Sequence, residues 1–282
     1  MKAFRWRLGL AVVASAVAST GLVLIAEPAL AVPGRVVVST TTVTDSTSPK
    51  GGFLACPAGT VALGGGGSIN AGAPGITIVQ NNPSPAGWVF AAIEQGAGTA
   101  AVWSLTTWAV CAPAPAGYQI VQANGTVNPP ASAIATCPAG KKVTGAGATL
   151  DTPVGDNVRV IEAIRPSASL TSVSARAVVD PGAIGGAASN IVIAYAVCIN
   201  AQAGQQLVTA TSPSNSLDKS VNALCPFPTV PHGVGATIRG GGGQVNLTML
   251  NPSGNPAQVA AKEHSGGYAA NWTLEAHAIC LR

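Results

Sequence analysis

The chain has 282 residues, of which only 9% are charged, and its formal net charge is +4. An ordinary soluble domain carries about 25% charged residues. The sequence contains no block of basic residues of the kind that binds nucleic acid or an anionic membrane, so we expect neither as a partner.

The first 31 residues have the three parts of a secretory signal peptide. Basic residues precede an apolar run from Leu8 to Ala26, and the motif PALA places Ala29 and Ala31 at the small-residue positions of a cleavage site. An uncleaved membrane anchor is the alternative for an apolar run of this length. Cleavage predicts a secreted chain with no further segment that is long and apolar enough to span a bilayer.

The remaining sequence contains one unit three times. The segments CPAGTVALGGGGSI, CPAGKKVTGAGATL and CPFPTVPHGVGATI begin at Cys56, Cys137 and Cys225, and their later glycines coincide when the cysteines are aligned. The first and third copies align without a gap at an offset of 169 residues. This periodicity defines repeats of about 84 residues that span 35–117, 118–204 and 205–282.

Each repeat is predicted to consist of β-strands throughout. A β-branched segment such as RVVVSTTTV opens the repeat, and the Cys-Pro turn and glycine segment follow. Segments such as GITIVQ and GWVFAAIEQ come next, separated by an Asn/Pro/Ser turn, and a last strand ends at the second cysteine. Period-two patterning and turn residues therefore predict four or five strands per repeat and no helix after the signal.

The glycine segments do not match a nucleotide-binding loop. A dinucleotide loop needs a third glycine three residues after the second, at the start of a helix. Ile69, Leu150 and Ile238 occupy that position, and no helical pattern follows. We interpret these glycines as strand residues at bulges, bends or close approaches of two backbones.

The six cysteines predict three disulfides, one within each repeat, and hence an oxidising compartment. The repeat indicates the pairs Cys56–Cys111, Cys137–Cys198 and Cys225–Cys280. We expect each bridge to join the first strand of a repeat to its last strand and so to staple one sheet. The loop-entropy model gives about 4 kcal/mol for a bridge that closes a loop of this size.

The threefold repeat, the CP-x-G openings at Cys56 and Cys137 and the tryptophan-bearing closing strand resemble a family of secreted bacterial proteins with three CPxG/Gly-rich repeats. More distantly, the layout resembles the vitelline membrane outer layer proteins, which implies a β-prism of three Greek-key units. We therefore predict an all-β, β-prism-like fold with pseudo-threefold symmetry. Three small disulfide-stapled β-sandwich units in tandem are the alternative, which the thin Ala/Val core disfavours.

One position of the closing strand suggests a ligand site. It lies on the face opposite the cysteine, where alternation predicts exposure to solvent, and it holds Trp108, Tyr195 and His277 in the three repeats. A ring there, beside Thr106 and the recurring Glu94 or Glu263, would stack on a sugar while its polar neighbours bind hydroxyls. Packing of the rings against an adjoining sheet or loop is the alternative.

Catalytic groups do not converge in the sequence. His264 and Ser265 are neighbours, so on a strand they point to opposite faces, and all six cysteines are expected in disulfides. We expect no cofactor and no metal, although His264, Glu275 and His277 have the residue types of a three-ligand site.

These features predict a secreted, non-catalytic binding protein that is lectin-like or binds the cell envelope. Its partner would be a carbohydrate or a cell-envelope polymer, partly by analogy with lectins that share β-prism folds. The alternatives are a structural matrix or coat protein and, third, a hydrolase whose site has no recognisable motif. The sequence gives no indication of the oligomeric state.

Overall fold

The structure is a computed structural model that describes residues 32–70, 75–95, 98–125, 130–151, 159–181, 191–264 and 266–282. The predicted signal peptide, residues 1–31, lies outside the described residues. Every regular element in the described ranges is a β-strand, as predicted. These ranges accordingly contain no apolar helix with the length needed to cross a bilayer.

Each repeat contributes six strands to the described structure, one or two more than the sequence predicts. Repeat 1 forms β1 Val36–Thr41, β2 Lys50–Ala55, β3 Val61–Asn70, β4 Ile76–Ser84, β5 Gly87–Glu94 and β6 Ser104–Ala112. Repeat 2 forms β7 Gln119–Asn124, β8 Ala131–Thr136, β9 Lys141–Asp151, β10 Arg159–Pro166, β11 Ser172–Val179 and β12 Ile191–Asn200. Repeat 3 forms β13 Gln206–Thr211, β14 Lys219–Ala223, β15 Val230–Arg239, β16 Val245–Asn251, β17 Ala257–Glu263 and β18 Thr273–Leu281.

The strands form three antiparallel sheets of six strands, and each sheet combines two repeats. Sheet I has the order β1-β6-β3-β16-β17-β14, sheet II the order β2-β5-β4-β9-β12-β7, and sheet III the order β13-β18-β15-β10-β11-β8. The first, third and sixth strands of a repeat therefore lie in one sheet, and its second, fourth and fifth strands lie in another. Because the exchange runs from repeat 1 to 2, from 2 to 3 and from 3 back to 1, the three repeats close into a ring.

This topology confirms the prism-like arrangement and corrects the tandem alternative. Each repeat is locally a small sandwich, since its two groups of three strands pack against each other. Both groups also continue, through backbone hydrogen bonds, into a sheet shared with a neighbouring repeat. The repeats are thus interlocked rather than independent.

The disulfides form the predicted pairs but do not staple single sheets. The expected connection was from the first strand to the last, yet each repeat has an additional second strand that ends just before the first cysteine. The bridges are Cys56–Cys111, Cys137–Cys198 and Cys225–Cys280, with Cα–Cα distances of 5.8, 5.7 and 5.6 Å. Each therefore joins the two layers of its sandwich, which belong to different sheets.

The glycine segments allow the repeats to approach one another around a pseudo-threefold axis. A Cβ on Gly64 would lie 2.0 Å from the carbonyl oxygen of His232 in repeat 3. The equivalent distances are 2.3 Å from Gly145 to the oxygen of Leu63 and 2.3 Å from Gly233 to the oxygen of Thr144. Only glycine fits at these positions because the shortest contact is in each case with the backbone of another repeat. The sequence-based interpretation of close backbone approach is confirmed here.

Two further glycines, both in repeat 1, leave room for large aromatic side chains in the core. A Cβ on Gly65 would lie 2.4 Å from the ring of Trp88, and a Cβ on Gly67 would lie 2.2 Å from the ring of Phe90. Both rings are fully buried. At the matching positions repeat 3 has larger residues on one strand and smaller ones on the other, namely Val234 and Ala236 with Ala257 and Val259. Repeat 1 thus combines glycines on one layer with large rings on the other, whereas repeat 3 has residues of intermediate size on both layers. Each combination fills the space between the layers, as dense packing requires.

Candidate functional site

The recurring ring position lies on the strand next to one edge of each sheet. Trp108, Tyr195 and His277 are paired across the strands with Gly66, Gly147 and Gly235, respectively. Trp108 and Tyr195 are half-buried, and burial raises the pKa of the Tyr195 hydroxyl. His277 is only 2% exposed, so the prediction that this position faces solvent is wrong in repeat 3.

His277 is held by hydroxyl groups on both sides of its ring. Its Nδ1 lies 3.1 Å from Thr209 Oγ1 and its Nε2 lies 2.9 Å from Thr237 Oγ1, while Glu275 Oε2 is 3.7 Å from Nε2. Burial lowers the pKa of His277 to about 4, so the ring is neutral at pH 7. Both nitrogens are already engaged within the protein, which gives this histidine a structural role.

The recurring glutamates do not lie beside the rings. Glu94 is on sheet II whereas Trp108 is on sheet I, so the predicted grouping of these two residues is wrong. Instead Glu94 Oε1 accepts a hydrogen bond of 2.8 Å from the buried Trp103 indole, and Oε2 accepts one of 3.0 Å from the Thr99 amide. The Lys50 Nζ atom lies over the same indole ring, 5.0 Å from the ring centroid.

Repeat 3 builds the same cluster from the equivalent residues. Glu263 accepts hydrogen bonds of 2.8 Å from the Trp272 indole and 2.9 Å from the Tyr268 amide. The Lys219 Nζ atom lies over the Trp272 ring, 4.0 Å from the ring centroid. Both carboxylate oxygens of Glu263 are thus used to anchor a buried tryptophan and the loop before it. Repeat 2 has Ala131 and Val179 at the lysine and glutamate positions, which explains why these residues recur only twice.

The three residues with the types of a metal site, His264, Glu275 and His277, are not brought together. His264 lies at the axis with the two residues that are equivalent to it, Gln95 and Asp180. Asp180 Oδ1 is 3.6 Å from His264 Nδ1, and Asp180 Oδ2 accepts a 2.5 Å hydrogen bond from Gln95. Glu275 and His277 instead contact each other on sheet III. Among the described residues no group of three His, Cys, Asp or Glu side chains is placed to hold a metal ion.

A groove opens on sheet III, at the junction of repeats 2 and 3. It has a volume of about 440 Å³ and is lined by β8, β10 and β11 of repeat 2 and by the end of β15 of repeat 3. Only two residue pairs connect β10 to β15, where the sheet changes from one repeat to the other. Its charged lining residues are Glu162, Arg165, Arg176 and Arg239, and its hydroxyl groups come from Ser132, Ser174 and Thr237.

Two ion pairs fix the charged side chains of this sheet. Glu162 pairs with Arg176, and Arg239 donates from Nε and Nη2 to Glu275 at 2.6 and 3.0 Å. Burial raises the pKa of Glu162, whereas the Arg239 hydrogen bonds lower the pKa of Glu275. Guanidinium groups held by carboxylates present their remaining N–H donors in a fixed geometry, which favours recognition of an oxygen-rich ligand.

Sequence reasoning missed this groove because its residues come from four strands of two repeats. The signal that was present is a set of arginines found only on sheet III. Where β10 and β11 have Arg165 and Arg176, repeat 1 has Asn82 and Ala91, and repeat 3 has an asparagine and an alanine as well.

Comparison with known proteins adds no assignment. No protein-family model matches the chain, and a search of curated proteins finds no significant match. The resemblance to three-repeat secreted proteins therefore remains a sequence-based expectation, and the properties of the groove are the basis for a functional hypothesis.

Proposed function

We propose that the protein is a secreted, non-catalytic carbohydrate-binding protein and that the sheet III groove is its main binding site. The three disulfides indicate an oxidising environment, in agreement with a protein that acts outside the cell. The observation that carries the proposal is the groove itself, an open recess on the surface of sheet III that is lined by ion-paired side chains and hydroxyl groups.

The lining of the groove suits a sugar in two ways. Ser132, Ser174 and Thr237 provide hydroxyls, and the Arg176–Glu162 pair provides both donors and acceptors for the hydroxyls of a ring. The side chain of Ile134, which is 62% exposed, supplies an apolar surface for the carbon face of that ring. Binding sites for small ligands commonly combine such apolar surface with a few fixed polar groups.

The ring positions on the other two sheets extend the proposal. Trp108 and Tyr195 are half-buried on sheets I and II and have polar neighbours of their own. Asn70 donates to Thr106 Oγ1 at 2.8 Å beside Trp108, and Thr149 donates to Asn82 at 2.8 Å on the Tyr195 side. We infer that these positions are secondary, weaker sites because they lack the charged lining of sheet III.

A glycan array with the purified protein tests the proposal, followed by calorimetry on the glycans that bind. The test variant is Ile134→Asp, and its matched control is Phe53→Asp, because Phe53 occupies the same position on sheet II and is 52% exposed. We expect Ile134→Asp to weaken binding by about tenfold or more and Phe53→Asp to leave it nearly unchanged.

Two outcomes would contradict the proposal. The first is the absence of binding to any glycan, and the second is binding that Ile134→Asp does not weaken. A reducing-end assay on the same glycans separates binding from hydrolysis, and release of new reducing ends would assign the groove to a hydrolase instead.

A further inference from the structure

The sheet III groove differs from the equivalent surfaces of sheets I and II by its positive charge. Arg239 on sheet III is replaced by Asn70 on sheet I and by Asp151 on sheet II. The residue before the turn proline that all three repeats share is Arg165 on sheet III and asparagine on the other two sheets. One of the three pseudo-symmetric surfaces has therefore acquired arginines that the shared fold does not require.

Arg165 is the arginine of this groove that makes no direct ion pair, although its charge helps to lower the pKa of Glu275. Arg176 is paired with Glu162 and Arg239 with Glu275. Arg165 is exposed, and among the described residues its guanidinium has no hydrogen-bond or ion-pair partner; Ser174 contacts only its backbone carbonyl. Three guanidinium groups and two carboxylates leave this surface with one unbalanced positive charge.

An unpaired guanidinium beside hydroxyls and an apolar side chain selects a particular ligand chemistry. Arginine binds a carboxylate or a phosphate through two parallel hydrogen bonds, which adds geometric specificity to the charge. A recess of about 440 Å³ is large enough for a sugar ring with its acidic substituent. Nucleic acid does not fit this arrangement, because its binding requires several cations along a run of phosphates.

We propose that the sheet III groove binds an acidic polysaccharide and that the guanidinium of Arg165 contacts its anionic group. The proposal rests on the carbohydrate-binding function proposed above and specifies the ligand class of the same site. The anionic group is a carboxylate of a uronic acid or a phosphodiester of a phosphate-containing envelope polymer, since both present two oxygens to the guanidinium.

Calorimetric titration with three probes tests the proposal: an oligogalacturonate, its carboxyl-reduced neutral counterpart and a glycerol-phosphate oligomer. The variant is Arg165→Gln, and the control is Lys262→Gln, which removes one exposed positive charge from sheet I. We expect at least one acidic probe to bind the wild-type protein about tenfold or more tightly than the neutral probe does. Arg165→Gln should abolish that difference, whereas Lys262→Gln should preserve it.

The outcomes separate this inference from the function on which it rests. Stronger binding of the uronate or of the glycerol phosphate identifies the anionic group, and either result supports the proposal if it depends on Arg165. Equal binding of acidic and neutral probes, or an acidic preference that survives Arg165→Gln, overturns the inference while carbohydrate binding stands. If none of these probes and no glycan on the array binds, the proposed function fails as well.

Discussion

Replacing a glycine at the pseudo-threefold axis tests how tightly the repeats are interlocked. In Gly145→Ala the new methyl carbon would lie 2.3 Å from the carbonyl oxygen of Leu63 and 3.0 Å from the Cα of Gly64. Favourable contacts between heavy atoms lie at about 3.5 Å or more, so the two strands would have to separate by roughly 1 Å. Both strands are hydrogen-bonded within sheets, and neither can move alone.

We therefore expect Gly145→Ala to destabilise the fold by about 3 kcal/mol, at the upper end of the usual cost of overpacking. The pseudo-symmetric changes Gly64→Ala and Gly233→Ala should have similar effects, because each methyl group would meet backbone of the next repeat. Gly254→Ala is the control, since its nearest atom would be 3.7 Å away, and we expect a change within about 0.5 kcal/mol.

Equilibrium urea denaturation with intact disulfides, followed by tryptophan fluorescence, measures these effects. Loss of stability in all three axial variants, but not in the control, is the pattern expected from a closed ring of repeats. If the axial variants are as stable as Gly254→Ala, the close approach of the three glycine segments is incorrect.

Three further predictions concern buried groups. Burial lowers the pKa of His232 to about 4 from an ordinary value of 6.5, so its stabilising contribution is complete above pH 6.5 and is lost as the pH falls toward 4, by about 3 kcal/mol. His232→Leu, which introduces the residue of repeat 1, should reduce the loss of stability between pH 7 and pH 4.5 in urea titrations by about 2–3 kcal/mol. The sensitivity that remains is expected from His277 and His264, because burial lowers the pKa of both. An unchanged sensitivity in His232→Leu would contradict this. Replacing Cys137 and Cys198 together by alanine should lower stability by about 4 kcal/mol in the same assay, and a loss below 1 kcal/mol would show that the bridge constrains little. Glu263→Ala leaves the buried Trp272 indole N–H without its acceptor and should lower the free energy of unfolding by about 1–3 kcal/mol. Glycan affinity should not change, and weaker binding would show that Glu263 contacts the ligand.

The repeats, the all-β class and the disulfide pairs could be predicted because they leave local patterns in the sequence. The second strand of each repeat could not, since KGGFLA and KSVNA are short and lack a clear run of β-branched residues. Without that strand, each disulfide was assigned to a single sheet instead of to the contact between two layers.

The exchange of strands between repeats leaves no local pattern at all. When β9 pairs with β4 of another repeat, its alternation is the same as if β4 belonged to its own repeat. The recurrence of Glu94 and Glu263 was misleading for a related reason: a repeated residue can be retained for a structural contact as readily as for a ligand. Here both anchor buried tryptophans.

The groove on sheet III depends on this exchange, because it forms where repeat 2 meets repeat 3. Chemical-shift mapping of the labelled protein during titration with the tightest-binding acidic oligosaccharide tests its role most directly. We predict that the largest shifts fall on amides of β8, β10, β11 and the end of β15, with Arg165 among the affected residues. Shifts confined to sheets I and II, or spread evenly over the surface, would contradict the assignment of this groove as the ligand site.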